Sequence, residues 1–160
     1  MYATKIDVPE KVRTQVAEML QACLALSIDL MMQAKQAQGN VKGPAFIALH
    51  ELFDKISENI EEYVDLIAER IVQFGGIAEG TIGSAAKRSK LPEYPLAIAS
   101  GREHVAALSH ALAFYGETIR NVISQADELQ DADTADILTE ISRGADKWLW
   151  FVEANHQAKD

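Results

Sequence analysis

GPAFIALHELFDKISENIEEYVDLIAERIVQFGG, residues 43–76, has neither glycine nor proline between Pro44 and Gly75, and so reads as one long helix. Gly43 and Pro44 mark its start, because a proline at the first helical position gives up an N–H that has no intrahelical partner there. Gly75 and Gly76 supply a left-handed stop. Leu49, Leu52, Phe53, Ile56, Ile60, Val64, Ile67 and Ile71 recur at helical spacing, with Glu58, Glu61 and Glu62 falling largely between them. One face is therefore built for a core, and Glu58, Glu61 and Glu62 are assigned to solvent or to the interior of an assembly.

The same helix carries a polar stripe. His50 and Asp54 are neighbours one turn apart, as are Asp65 and Glu69, and all four fall within an arc of roughly 100°. Along the axis, however, His50 and Asp65 are about 22 Å apart at 1.5 Å per residue. Metal bonds to imidazole nitrogen and carboxylate oxygen are only about 2 to 2.6 Å long, so no single ion reaches both pairs in one straight helix. A second copy lying antiparallel across a two-fold axis would set His50 and Asp54 of one chain against Asp65 and Glu69 of its mate, giving two equivalent sites per dimer.

Working outward, three more helices account for the chain. The first spans about Pro9 to Gln36, with Val12, Val16, Leu20, Leu24 and Met31 on its apolar stripe. Residues 77–99, rich in small residues and carrying Pro92 and Pro95, are long enough to return along a bundle and make the next helix parallel to its predecessor. Ser100 and Glu103 form a capping box for a third helix that runs to about Leu129 despite Gly116. Asp133 or Thr134 opens a fourth that reaches Ala154 with Gly144 inside. The expected fold is all-α, a four-helix bundle with a long crossover between the second and third helices, in one domain over residues 1–160. No tandem repeat, low-complexity tract or linker interrupts it.

At this point the chain closely resembles a known family. KGPAFIALHELFDKISENIEEYVDLIAER at residues 42–70, KQAQGNVKG at 35–43, LPEYP at 91–95 and DADTADILTEISRGADKWLWFVE at 131–153 are together similar to the Dps proteins, small ferritins first described as DNA-binding proteins from starved cells. The resemblance implies a ferritin-like bundle and a hollow homododecamer assembled from two-fold dimers. It also implies oxidation of ferrous iron, with hydrogen peroxide or oxygen as oxidant, and storage of ferric mineral inside. The family's iron site lies between subunits and uses two histidines, two aspartates and a glutamate, of which four carry over to His50, Asp54, Asp65 and Glu69. In the role this implies, His50, Asp54 and Glu69 hold the metal while Asp65 orients or assists. Carboxylates favour the ferric product because the higher charge gains more from anionic oxygen.

The fifth ligand departs from the pattern. Where the family has His-Trp before the asparagine, this chain has Gln38-Gly39 before Asn40. A neutral amide oxygen is a weaker donor than imidazole, so iron is expected to be held less tightly or a second ion only transiently, with zinc as a competitor. The alternative function is a Dps-like cage with an impaired site, acting as a structural, metal-binding or DNA-protecting shell. Asp133 and Asp136 match family positions that line the three-fold pore through which iron enters, with Asp131 and Glu140 extending the row. Three copies of such carboxylates would concentrate cations by focusing the field; against this stands simple capping of the helix dipole by Asp133.

Charge sets further limits. A formal net charge of −9 and a pI near 4.9 repel phosphate backbones, so DNA binding is expected to be weak or absent despite the family's name. Only Lys5 precedes the first helix and only Lys159 follows the last, so no lysine-rich tail is offered. Lys87-Arg88-Ser89-Lys90 reads as a solvated loop or short helix in preference to a binding patch. The segment MYATKIDVPEKV lacks an apolar leader core, no apolar run approaches the ~20 residues of a membrane span, and the expected compartment is the cytoplasm. Cys23, the single cysteine, is expected to be a buried inert thiol. His104 and His110, six residues apart, point about 120° apart and are assigned to packing or surface. Glu153 and His156 have an i, i+3 spacing used in larger ferritins but occur once only. Trp148 and Trp150 are expected to pack against the bundle and a neighbouring subunit.

Overall fold

The computed structural model describes residues 1–157, and the expected positions Lys159 and Asp160 lie outside them. Five helices follow in order: α1 (Glu10–Asn40), α2 (Phe46–Gln73), the short α3 (Ile82–Arg88), α4 (Gly101–Glu128) and α5 (Ala132–Gln157). Four long helices make the bundle, and α3 lies within the crossover against α1. Among the described residues there is no strand, only an isolated parallel bridge between Lys42 and Ser100.

That bridge fixes the topology. Lys42 N–H donates to the Ala99 carbonyl at 2.8 Å and Gly101 N–H donates to the Lys42 carbonyl at 3.2 Å, so α2 and α4 start at the same end. The segment between them returns along the bundle, as its length requires. α1 packs on α2 and α4 on α5 as two helical hairpins. Leu20, Leu24, Leu30, Phe53, Ile56, Ile60, Phe74, Leu108, Leu112 and Tyr115 are all fully buried between them. Each such large apolar side chain contributes about 1.5 to 3 kcal/mol through removal from water. The buried Tyr115 hydroxyl is satisfied by Ser27 Oγ at 2.8 Å.

Helix ends differ from the sequence expectations in three places. α1 runs to Asn40, past Gln36, because the only weak former on the way is the exposed Gly39, with open space around it. This extension puts Gln38 on the helix. α2 begins at Phe46, because Gly43 adopts φ 118° and Phe46 N–H donates back to its carbonyl at 3.0 Å; Pro44 sits in that turn, not at the first helical position. The cap of α5 is Asp131, whose Oδ1 accepts from Thr134 N–H at 3.2 Å, in place of Asp133 or Thr134. The far end of α2 matches the expected stop: Gly75 is left-handed at φ 86°, Gly76 N–H reaches the Ile71 carbonyl and Gly75 N–H the Val72 carbonyl, each at 2.9 Å. The Ser100–Glu103 capping box is present on α4.

Two close approaches shape the rest. Tyr2 N–H donates to the Gly75 carbonyl at 2.7 Å, and a Cβ on Gly75 would lie 2.2 Å from the Tyr2 oxygen. Arg13 donates to the Val8 carbonyl at 3.0 Å and the Phe74 carbonyl at 2.7 Å, holding the first residues against the end of α2. Where α2 meets α5, a Cβ on Gly144 would lie 1.7 Å from the Tyr63 hydroxyl, which donates to Asn59 Oδ1 at 2.7 Å. Trp148 Nε1 donates to the same oxygen at 2.7 Å.

One helix departs from the reading of hydropathy. α1 has an 18-residue window of mean hydropathy 1.3, long and apolar enough to cross a membrane by length and composition. Most of that window is buried in the bundle, where Val16, Leu20, Leu24 and Leu30 meet the other helices.

Candidate metal centre

The end of α1 and the start of α2 bring Gln38, His50 and Asp54 together. His50 Nδ1 lies 2.9 Å from the Gln38 carbonyl oxygen, which can only accept, so the ring proton sits on Nδ1 and the lone pair on Nε2. A histidine oriented in this way by a backbone carbonyl is prepared for metal ligation through its other nitrogen. The Phe46 ring packs against the imidazole with centroids 5.3 Å apart. Both His50 and Asp54 are half-buried.

Asp54 is already engaged. Its Oδ1 accepts from Gln38 Nε2 at 3.1 Å and from the Lys35 ammonium. The chain thus supplies its own cation at a carboxylate expected to hold iron. Sequence reasoning missed Lys35, although its place three residues before Gln38 on one face of α1 was a usable signal. Because the Gln38 amide nitrogen faces Asp54, its Oε1 is the atom left to offer a metal.

Asp65 and Glu69 are exposed farther along α2, with no hydrogen bond or ion pair recorded to either among the described residues. Also among the described residues, no group of three or more His, Cys, Asp or Glu side chains gathers as a metal site. His50–Asp54 and Asp65–Glu69 are therefore two separate pairs along α2 within this chain. The flanking surface is apolar: Phe46 and Ile47 are 39% and 63% exposed beside His50, and Val72 is 57% exposed beside Glu69.

At the start of α5, Asp133, Asp136 and Glu140 are exposed. Asp131 is not part of that row. It is 4% exposed and paired with the equally buried Arg70 at 2.8 Å, while Arg70 Nε donates to Thr134 Oγ1 at 2.9 Å and its guanidinium lies over Phe74. Removing one partner of such a buried pair costs about 3 to 5 kcal/mol. Arg70 is thus the strut between the end of α2 and the first turn of α5, a role sequence reasoning did not assign.

The remaining positions separate cleanly. Cys23 is fully buried and its thiol is pushed up to about 12, as fits an inert core residue. His110, Glu153 and His156 are exposed. Trp148 packs into the bundle, whereas Trp150 is 62% exposed. Lys87 and Arg88 close α3, and Arg88 is paired with Glu18 and Glu79 at 3.0 and 2.9 Å, which raises its affinity for its proton and leaves less free positive charge. His104 is buried with Nδ1 2.7 Å from the Tyr94 hydroxyl.

Four long helices and the crossover between α2 and α4 define a ferritin-like fold. Residues 17–158 match the Ferritin family, described as a ferritin-like domain. The chain is 42% identical over 158 residues to the DNA protection during starvation protein of Agrobacterium fabrum, covering 99% of this chain and 98% of that one. It is 32% identical over 148 residues to the protein of that name from Mycolicibacterium smegmatis, covering 91% and 79%. Among solved structures, Mycobacterium smegmatis Dps superposes with a TM-score of 0.92 at 30% identity, covering 98% of this chain and 96% of that one. DpsA14 from Streptomyces coelicolor gives 0.92 at 29% identity, covering 97% and 92%. The chain belongs to the Dps family of ferritin-like proteins.

Proposed function

We propose that this Dps chain is an iron-storing mini-ferritin that oxidises ferrous iron at sites shared between two subunits and keeps the ferric product inside a hollow homododecamer. One observation carries the reading: His50 is oriented with Nε2 free, yet its companion carboxylates on α2 lie about two dozen ångströms away by helical rise. An antiparallel copy of α2 completes the coordination shell, and the exposed Phe46, Ile47 and Val72 beside the half-sites suit an interface that covers them. His50, Asp54 and Glu69 hold the iron, Asp65 orients it, and Gln38 offers its amide oxygen. Hydrogen peroxide or oxygen is the oxidant, iron enters past Asp133 and Asp136, zinc competes for the ligands, and the compartment is the cytoplasm. The acidic surface disfavours DNA.

The test is iron oxidation by the purified assembly with peroxide and with oxygen, beside a Gln38→His variant. Oxidation above the buffer background, accelerated by the restored imidazole, supports the reading. A parent and a variant that are both inert contradict it.

A second reading has a specific observation behind it. Gln38 and Lys35 both occupy Asp54 Oδ1, which suits a shell whose site holds zinc or nothing. It is separated from the first by the parent alone: a shell oxidises no iron. DNA protection, which the relatives' names state of them, is tested by gel shift at moderate salt, where this chain is expected to give no retarded complex.

A further inference from the structure

At one end of the bundle, the loop between α1 and α2, the first turn of α4 and the last turn of α5 frame a cavity of about 730 Å³. Its floor is apolar, made by the buried Leu49 and Val105, with Pro44 and Ala45 on the wall. Gly101 lets that floor close up against α4, since a Cβ there would lie 2.6 Å from Leu49 Cδ1. At the rim stand Lys42, Arg102 and His156, all exposed, and no Asp or Glu among the described residues lines the cavity. In a chain with 24 acidic residues against 15 basic ones, this concavity runs against the overall charge.

The two permanent cations are uncommitted. Among the described residues, neither Lys42 nor Arg102 forms an ion pair. Glu103, next to Arg102 in sequence, turns its carboxylate onto Ser100, accepting from the N–H at 2.9 Å and from the hydroxyl at 2.7 Å, and it lines a different cavity. The bridge between Lys42 and Ser100 also keeps the cations from spreading apart. It ties the Lys42 backbone to Ala99 and Gly101, and Arg102 follows directly. Like charges anchored in this way repel, and an anion between them removes the repulsion.

We infer that this cavity binds a small organic anion, a carboxylate carried on an apolar body, with Arg102 and Lys42 meeting the head and Leu49 and Val105 the body. A guanidinium presents a planar fork that matches both carboxylate oxygens, and an ammonium adds a point charge beside it. The volume falls within the range of about 300 to 1,000 Å³ typical of small-molecule sites. A bare anion would meet only exposed cations, which salt screens. The apolar floor supplies the selectivity, because each methylene fully removed from water strengthens binding by roughly fourfold. None of the proposed iron ligands lines the cavity, so the site stands apart from the iron reading and is tested without metal.

The test is calorimetric titration of the assembled protein with straight-chain carboxylates from acetate to octanoate, with octylammonium and inorganic phosphate as comparisons. Octanoate is expected to bind saturably at about one per chain, with affinity rising along the series. Lys42→Gln and Arg102→Gln should each weaken it by on the order of tenfold, and Arg102→Glu by more. Both side chains are exposed, so the variants are expected to fold and assemble as the parent does, which circular dichroism and particle size check. Ala45→Trp fills the cavity from an exposed wall position and should block octanoate while leaving both cations in place. Absence of saturable octanoate binding, or equal binding of octylammonium, overturns the site. Octanoate binding that none of the variants changes places it elsewhere and overturns the site as well. Phosphate held as tightly as octanoate, and weakened by the same variants, overturns the apolar body and leaves a simple anion site.

Discussion

Asp54 shows how sequence can place a residue on its helix face without revealing what that residue touches. The His50–Asp54 spacing was enough to place both on one side of α2, since helical phase follows from residue number alone. That Lys35 reaches Asp54 was not legible, because the contact depends on how α1 and α2 cross and on α1 extending to Asn40. The pair is half-exposed, so its own stability contribution is small, about 0 to 1 kcal/mol. Its effect on an arriving cation is larger: a unit charge a few ångströms away at an effective dielectric near 20 is worth a few kcal/mol before screening. Lys35→Met is therefore expected to tighten zinc binding by on the order of tenfold, read by calorimetric titration, and equal affinities would remove Lys35 from the account. His104 gives a prediction on pH. Its folded-state affinity for protons is lowered chiefly by burial, so the unfolded chain takes up the proton first as pH falls. The contribution is present above the ordinary histidine range of about 6.5 and is lost below it, as pH descends toward the depressed folded value. Thermal melts of the parent should fall through that window more steeply than those of His104→Gln, with Tyr94, Glu103 and Lys42 as the groups facing the ring.

At the scale of elements, the helices themselves were legible because apolar periodicity and glycine stops are local properties. α2 ends in the hydrogen-bond pattern its two glycines specify. What failed was local chemistry overridden by neighbours. Asp133 is a good capping residue in isolation, yet Asp131 caps α5 because Arg70, arriving from α2, anchors it there. No spacing within residues 131–136 announces a guanidinium from residue 70. Gly144 makes the same point. In sequence it is only a weak position inside α5, whereas in the bundle its missing side chain is what admits the Tyr63 hydroxyl and lets Asn59 collect both Tyr63 and Trp148. Gly144→Ala gains helix propensity of roughly 1 kcal/mol but must displace a buried tyrosine from a contact of 1.7 Å. Overpacking of this kind costs about 1 to 3 kcal/mol, so a net fall in the unfolding midpoint is expected. Combining it with Tyr63→Phe, which removes the closest atom but leaves the ring carbon Cζ at 2.8 Å, should recover part of the loss; a melt unchanged by Gly144→Ala would show that α2 and α5 have slack.

The whole molecule carries what no single chain can. On the proposed reading, the two pairs on α2 and the exposed acidic first turn on α5 act only when copies meet, since within one chain His50–Asp54 and Asp65–Glu69 stay apart. The proposed entry route belongs to this scale. Asp133 and Asp136 are exposed, unlike Asp131, and three copies around a three-fold axis would bring six carboxylates to one opening. Field lines from like charges in a low-dielectric wall converge in such an opening and raise the local concentration of cations, accelerating entry by roughly 10- to 1000-fold. The double variant Asp133→Asn, Asp136→Asn leaves the Arg70–Asp131 strut and the α2 ligands untouched. Its initial rate of ferrous uptake at low ionic strength is expected to fall by about tenfold or more, while zinc affinity at the α2 sites stays as in the parent. Because the effect is electrostatic and the Debye length shrinks from about 30 Å at 0.01 M to about 8 Å at 0.15 M, added salt should narrow the gap between variant and parent. A gap that persists unchanged across that range would point to altered pore shape, and no gap at any salt would mean that iron reaches the interior by another opening.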